Sequence, residues 1–268
     1  MYRPDKIAIA GISCFLLWGL FFGAKDAQGF PESHGPFTVV QDNTVPLNIC
    51  KPVQRNLVNV HPALGSVTFS APDGRTLKLN IETQADPYAE KYFVQISAGE
   101  KDITSRVEVP LVATVVFLLP SEAICKDLNG DGITDFITTH SLHGNGLGAS
   151  FYDRLVMLSS SPAGYRFWLV RTMDPTQNDF QLIGDPKSMV MLTTSFANSG
   201  GAVPHSYYVY DLWRFLGDEL VLSNELDTRF AKWVWMTFSE NHKTAASLSN
   251  DDKLRMLPPR TAQEVTFP

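Results

Sequence analysis

The chain predicts an all-β fold of small antiparallel meanders, and three observations lead there. From Phe37 onward, short alternating apolar runs switch repeatedly with Gly, Pro, Asn or Asp punctuation, the pattern of many short strands joined by turns. The stretch 111–119 is almost wholly apolar and reads as a strand buried on both faces. It is too short for a membrane span. Finally, a strand, loop, strand, turn, strand rhythm returns after 55 residues, placing Thr138 and Thr139 on Thr193 and Thr194, Gly146 on Gly201 and Tyr152 on Tyr207.

The elements follow in order. Arg3 and Lys6 precede an uncharged apolar run over 7–24, and a positive flank before such a run is the pattern of an export signal. The run is long for a signal peptide and just long enough to span a bilayer. A buried helix is the third reading, behind two leading ones: a cleaved signal ending among Gly23, Ala24 and Ala27, within residues 1–27, and a retained membrane anchor. Either of the leading two puts the rest of the chain outside the cytoplasm, periplasmic or extracellular. The most apolar residues follow Cys14, which argues against lipid attachment there.

Residues 30–120 form an N-terminal β region with expected strands at 37–41, 56–60, 66–70, 76–82, 91–96, 104–109 and 111–119. Ala71-Pro72-Asp73-Gly74 supplies a turn. Residues 121–226 carry expected strands at 133–139, 152–158, 165–170, 180–183, 189–194, 207–215 and 220–223. Their turns are Ser161-Pro162-Ala163-Gly164 and Leu216-Gly217-Asp218-Glu219. A C-terminal extension, 227–268, holds an aromatic run at 229–238, strand or short helix. One or two helical turns are expected over 249–257, stopped by Pro258-Pro259.

The formal charge of −6, with no basic run of five residues, excludes a nucleic-acid partner of the usual phosphate-binding kind. Two of the three cysteines, Cys50 and Cys125, lie beyond the signal. In an exported chain they are expected to form one disulfide, against the alternative of two buried thiols.

The most informative run is Asp127-Leu128-Asn129-Gly130-Asp131-Gly132-Ile133-Thr134-Asp135. Oxygen-bearing side chains stand at positions 1, 3, 5 and 9, with glycine at position 6. A hard cation such as Ca²⁺ takes 6–8 oxygen ligands, and a tightly wound loop turns alternate residues inward. The side chains of Asp127, Asn129, Asp131 and Asp135 and the carbonyl of Ile133 are therefore the candidate metal ligands. The bare alternative is an acidic turn between two strands.

That run, the apolar strand after it, a glycine-containing loop, Arg154-Leu155-Val156-Met157-Leu158 and Gly164-Tyr165-Arg166-Phe167 together resemble one blade of the FG-GAP/VCBS-type repeats. The resemblance covers roughly residues 125–168. It implies a calcium-binding, integrin-like β-propeller blade in an exported protein. An EF-hand loop would want Glu at position 12, where Thr138 stands, and a helix where a strand is expected. The later unit keeps a turn, Gly184-Asp185-Pro186-Lys187, but loses the ligand series. A small propeller-like arrangement and an open β-sandwich carrying one calcium loop are thus the two architectures expected.

Catalytic signatures are absent: there is no G-x-S-x-G, H-E-x-x-H, S-x-x-K or P-loop pattern. His140 and His143, with Asp153, would suit Zn²⁺ by type, against the plainer reading of strand-end and loop histidines. His205 beside Tyr207, Tyr208 and Tyr210, and the pair Trp233 and Trp235, are candidates for a ligand surface or for ordinary packing. The expected function is a calcium-stabilised, exported binding protein for a protein or glycan partner, an envelope inhibitor or immunity protein among the options. A secreted calcium-dependent hydrolase or lyase is the alternative.

Overall fold

A computed structural model describes residues 45–58, 64–83, 90–109, 119–141, 151–160, 164–183, 188–198, 206–226, 233–236 and 263–264. The expected strands at 37–41 and 111–118 and the helical turns at 249–257 lie outside the described residues, as do His143 and His205.

The chain is all-β, as expected, and its strands form three antiparallel sheets, none closed on itself. The first sheet runs β2 (Pro52–Val58), β3 (Leu64–Ser70), β4 (Arg75–Thr83) and β5 (Glu90–Ala98), each paired with the next. Two short strands, β6 (Lys101–Asp102) and β7 (Val107–Val109), share the remaining edge of β5. Between them the strand expected over 104–109 is interrupted at Thr104. Its hydroxyl accepts the Ile96 amide at 2.9 Å while its own amide donates to the Ile96 carbonyl. A threonine hydroxyl standing in for a ladder partner breaks the strand locally.

The central sheet is the meander β8 (Ala123–Lys126), β9 (Asp135–Ser141), β10 (Phe151–Ser160) and β11 (Gly164–Met173), edged by β1 (Ile49–Cys50) and β17 (Gln263–Glu264). The third sheet is β12 (Phe180–Ile183), β13 (Ser188–Asn198), β14 (Ser206–Leu216) and β15 (Glu219–Leu222), with β16 (Trp233–Met236) sharing the last edge of β14. The aromatic run at 229–238 therefore contributes a strand.

Strand periodicity explains the stacking. Side chains alternate across a sheet, and β10 is apolar on both sides, so it needs cover on both. Leu155 and Met157 join Phe136 and Phe167 against Val67, Phe69, Leu77, Leu79, Val94 and Ile96 of the first sheet. The intervening Val156 and Leu158, with Ile137, Trp168 and Val170, pack against Phe180, Met191, Trp213, Phe215 and Leu220 of the third. The central sheet is the filling of a three-layer stack.

A covalent tie within the central sheet, between its neighbouring strands β1 and β8, and a backbone hydrogen bond to the third sheet add to this packing. Cys50 and Cys125 form a disulfide with Cα atoms 6.0 Å apart, bearing out that expectation. The segment leading into β1 reaches the third sheet, where the Val45 amide donates to the Phe180 carbonyl at 3.2 Å.

β10 and β14 each turn a face toward the sheet before their own. Thr138 pairs with Leu155, and Thr193 pairs with Asp211. On this register Asp211 takes the place of Leu155 and Trp213 that of Met157, one residue further along β14 than a uniform 55-residue offset gives. Met157 and Trp213 point the same way through their stacks, each toward the preceding sheet.

Candidate metal centre

The acidic loop leaves the central sheet at Lys126 and re-enters opposite it at Asp135. Two tight reversals are needed in that span, and both fall on glycine. Gly130 and Gly132 adopt φ values of +83° and +81°, the left-handed region that other residues enter at a cost.

The loop winds around its first carboxylate. Asp127 Oδ1 accepts the Gly130 and Asp131 amides at 2.7 and 3.1 Å, and Oδ2 accepts the Gly132 amide at 2.9 Å. Asn129 Oδ1 accepts the Asp131 amide, and Asp131 Oδ1 accepts that of Ile133. At the base, Asp135 is fully buried and takes the Leu128 amide at 2.7 Å and the Ser159 amide at 2.6 Å. Burial, reinforced by the nearby Asp131 charge, raises the Asp135 carboxyl to about 6 against the hydrogen bonds that oppose it.

One group that the sequence did not flag brings these carboxylates together. The Ser159 hydroxyl, on β10, lies 2.7 Å from Asp131 Oδ2 and 2.8 Å from Asp135 Oδ1. Ser159 is 2% exposed. A hydroxyl carries a single hydrogen, so it can satisfy only one of these two oxygens. The other contact brings lone pair against lone pair until a further proton or a cation enters.

Among the described residues no three His, Cys, Asp or Glu side chains gather closely enough to hold a metal by themselves. Two of the expected carboxylates, Asp131 and Asp135, converge on Ser159, while Asp127 faces the loop amides. The remaining donors are neutral oxygens, the Asn129 amide and backbone carbonyls such as that of Ile133. Hard oxygen donors of mixed charge are the set Ca²⁺ accepts, so the residues fit a calcium ion by donor chemistry.

The loop touches both flanking sheets. Toward the first sheet, the Thr134 amide donates to Asp73 Oδ2 at 3.2 Å, in the β3–β4 turn. Burial pushes the Asp73 carboxyl up, but hydrogen bonds from Arg75 and Thr134 outweigh it and hold the group below its usual value. Tyr165 closes this side, donating its hydroxyl to the Thr134 carbonyl at 2.6 Å. Toward the third sheet, Asn129 Nδ2 donates to the Gly217 carbonyl at 2.9 Å in the β14–β15 turn, and to the Ser159 carbonyl at 3.3 Å. That turn is pinned further by Asp218, which accepts the Ser160 hydroxyl at 2.8 Å and pairs with Arg166. The Asp218 carbonyl accepts the Trp168 indole N–H at 3.2 Å.

The other candidate residues are placed differently. His140 lies on β9, 1% exposed, with its Nε2 2.9 Å from the Thr138 hydroxyl and its ring edge-on to Tyr92. It belongs to the interior between the first and central sheets and not to an exposed ligand surface, because the even positions of β9 face the first sheet. Burial lowers its pKa to about 3, so it is neutral near pH 7. Asp153 stands directly opposite His140 but is engaged by Arg171 at 2.9 and 3.3 Å. Trp233 and Trp235 lie on β16, opposite Val209 and Tyr207 of β14.

Comparison with family models, with curated proteins and with solved structures finds no match to this chain. Its function therefore has to be argued from the site itself.

Proposed function

We propose that this chain is an exported, calcium-stabilised β-protein that binds a protein or glycan partner and performs no chemistry of its own. The carrying observation is the position of the acidic loop, wound on left-handed glycines and seated between turns of both neighbouring sheets. A cation there joins layers of the fold. Asp131, Asp135, the Asn129 oxygen and the Ile133 carbonyl would hold it, with Asp127 shaping the loop around it. The resemblance to FG-GAP/VCBS blades supports the same reading, including a 55-residue repeat of meanders and export through the N-terminal apolar run.

Ring closure is not required. The outer face of the first sheet is polar, with Lys91 paired to Glu108 at 2.7 Å and Arg106 paired to Glu82 and lying 3.6 Å over the Phe93 ring. A blade inside a closed propeller buries both faces, so this surface favours an open stack of blade-like meanders.

Calcium binding is tested by titrating the purified chain with calcium chloride and by melting it with and without chelator. Ligand saturation at about a hundred times Kd adds about 2.7 kcal/mol. Chelation should therefore lower the melting temperature, and Asp131→Ala should abolish the difference. Identical melting curves for the wild-type chain in calcium and in chelator would sink the proposal.

A further inference from the structure

The loop's outward contacts lead beyond simple stabilisation, and the inference rests on the calcium reading above. Two carboxylates meet on one buried hydroxyl that can donate to only one of them, and the Ser159 amide serves Asp135 at the same point. Three segments far apart in sequence close around it. The loop itself comes from β8–β9 of the central sheet. Asp73, 61 residues before its partner Thr134, comes from the first sheet. Gly217, 88 residues after its partner Asn129, comes from the third.

We propose that the loop is a calcium-dependent latch across the three sheets. The β3–β4 and β14–β15 turns are its positioning elements, and they tune calcium affinity without ligating the ion. The reasoning is geometric. Asn129 uses the two ends of one amide for two tasks: Oδ1 accepts within the loop and Nδ2 donates to Gly217 outside it. Fixing the loop fixes the direction of that N–H, and a seated turn in turn holds the amide where the loop needs it. On the other flank Thr134 is held through two successive peptide groups, its N–H donating to Asp73 and its carbonyl accepting the Tyr165 hydroxyl. Coupling between two sites is reciprocal, so what calcium does for the turns, the turns must do for calcium.

Asp218 and Asp73 are the residues to alter, since neither belongs to the ligand set. Asp218 anchors its turn to Ser160 and Arg166, and Asp73 anchors its own to Arg75 and Thr134. The experiment measures calcium chloride binding by calorimetry, and hydrogen exchange over the turns at 71–75 and 216–222 with and without calcium. In the wild-type chain, calcium should slow exchange at both turns by about tenfold, within the usual range for coupled sites. Asp218→Ala and Asp73→Ala should each weaken calcium binding by about five- to tenfold. Glu108→Ala, on the outer face of the first sheet, should leave it unchanged. Should a variant fail to fold, the wild-type exchange result decides alone. Calcium binding with unchanged exchange at both turns, or wild-type affinity in both variants, overturns the latch and leaves the calcium reading standing. The absence of any calcium binding overturns both.

Discussion

Both faces of the central sheet are buried, but they are held in different ways. Toward the first sheet the contact is apolar: Phe136, Leu155, Met157 and Phe167 meet Phe69, Leu77, Leu79 and Ile96, and the Cys50–Cys125 disulfide, which links β1 to β8 within the central sheet, is buried in the same cluster. Toward the third sheet the apolar cluster is crossed by a charge. Arg154, 2% exposed, reaches from β10 to Asp179 at 2.6 Å, donates to the Leu192 and Thr176 carbonyls, and lies 5.2 Å from the Phe180 ring centroid. The lesson is that one sheet uses non-directional burial on one side and a directional clamp on the other. The clamp fixes which carbonyls the third sheet must offer, whereas the apolar face tolerates small shifts.

The largest effect should come from breaking that clamp on one side only. Asp179→Ala leaves a buried guanidinium with carbonyl partners alone, and it also removes the carboxylate that accepts the Thr176 amide and hydroxyl. A loss of about 3–5 kcal/mol in urea unfolding is expected. Adding Arg154→Met should recover much of it, because the uncompensated charge goes with it. A cost under about 1 kcal/mol for Asp179→Ala would mean that the two faces are held alike after all.

Next comes the disulfide buried on the apolar side. The disulfide joins residues 75 apart, and the whole first sheet lies between them. Cys50→Ala, or reduction of the wild-type chain, should cost about 2–4 kcal/mol. The same treatment should raise exchange in β2–β5 more than in β12–β15. Equal loosening of both flanking sheets would remove the distinction drawn between them.

How much of this was legible in the sequence depends on the range of the interaction. Alternation and turn chemistry are local, so strands such as Phe180–Ile183 and the turn at Gly217-Asp218 could be read directly. The Thr104 interruption is local too, but a hydroxyl replacing a ladder partner leaves no trace in periodicity. The acidic loop announced itself through spacing. Ser159 did not, because a serine ending an apolar strand looks like an ordinary turn residue until β10 is placed beside the loop. Asp73 and Asp218 were visible only as members of Asp-Gly and Gly-Asp turns. That both turns point at one loop is a property of sheet stacking, to which no residue spacing corresponds. For a related reason the sequence left His140 open between a ligand residue and a strand-end histidine. Its strand alternates, but which face is covered was unknown until the first sheet was in place.

That histidine gives a smaller, pH-dependent test of the apolar face. Its folded pKa, about 3, lies below the ordinary value of 6.5. The folded state therefore binds fewer protons than the unfolded state between those values, and stability falls as pH drops below 6.5. At pH 5 the penalty is about 2 kcal/mol relative to pH 8. Asp135, raised to about 6, works in the opposite sense, losing stability as pH rises through roughly 4 to 6. The difference between wild type and His140→Phe, not either curve alone, isolates the histidine. If the two lose stability in parallel between pH 8 and pH 5, His140 is not held neutral in the interior.

The smallest effect should come from an ion pair of the same chemistry in a different setting. Lys91 and Glu108 meet at 2.7 Å on the outer face of the first sheet, with side chains 33% and 48% exposed, against 3% and 14% for Arg154 and Asp179. Water screens the outer pair and solvates either member left alone, so Lys91→Ala should cost at most about 1 kcal/mol. Moderate salt should erase most of that cost, since exposed charges are screened within about 10 Å at 0.1 M. The inner pair should respond little to the same salt. A double-mutant cycle on each pair, run at low and moderate ionic strength, separates them: the outer coupling should shrink with salt and the inner one persist. Equal salt sensitivity would show that solvent reaches Arg154, and the clamp between the central and third sheets would then be no stronger than a surface contact.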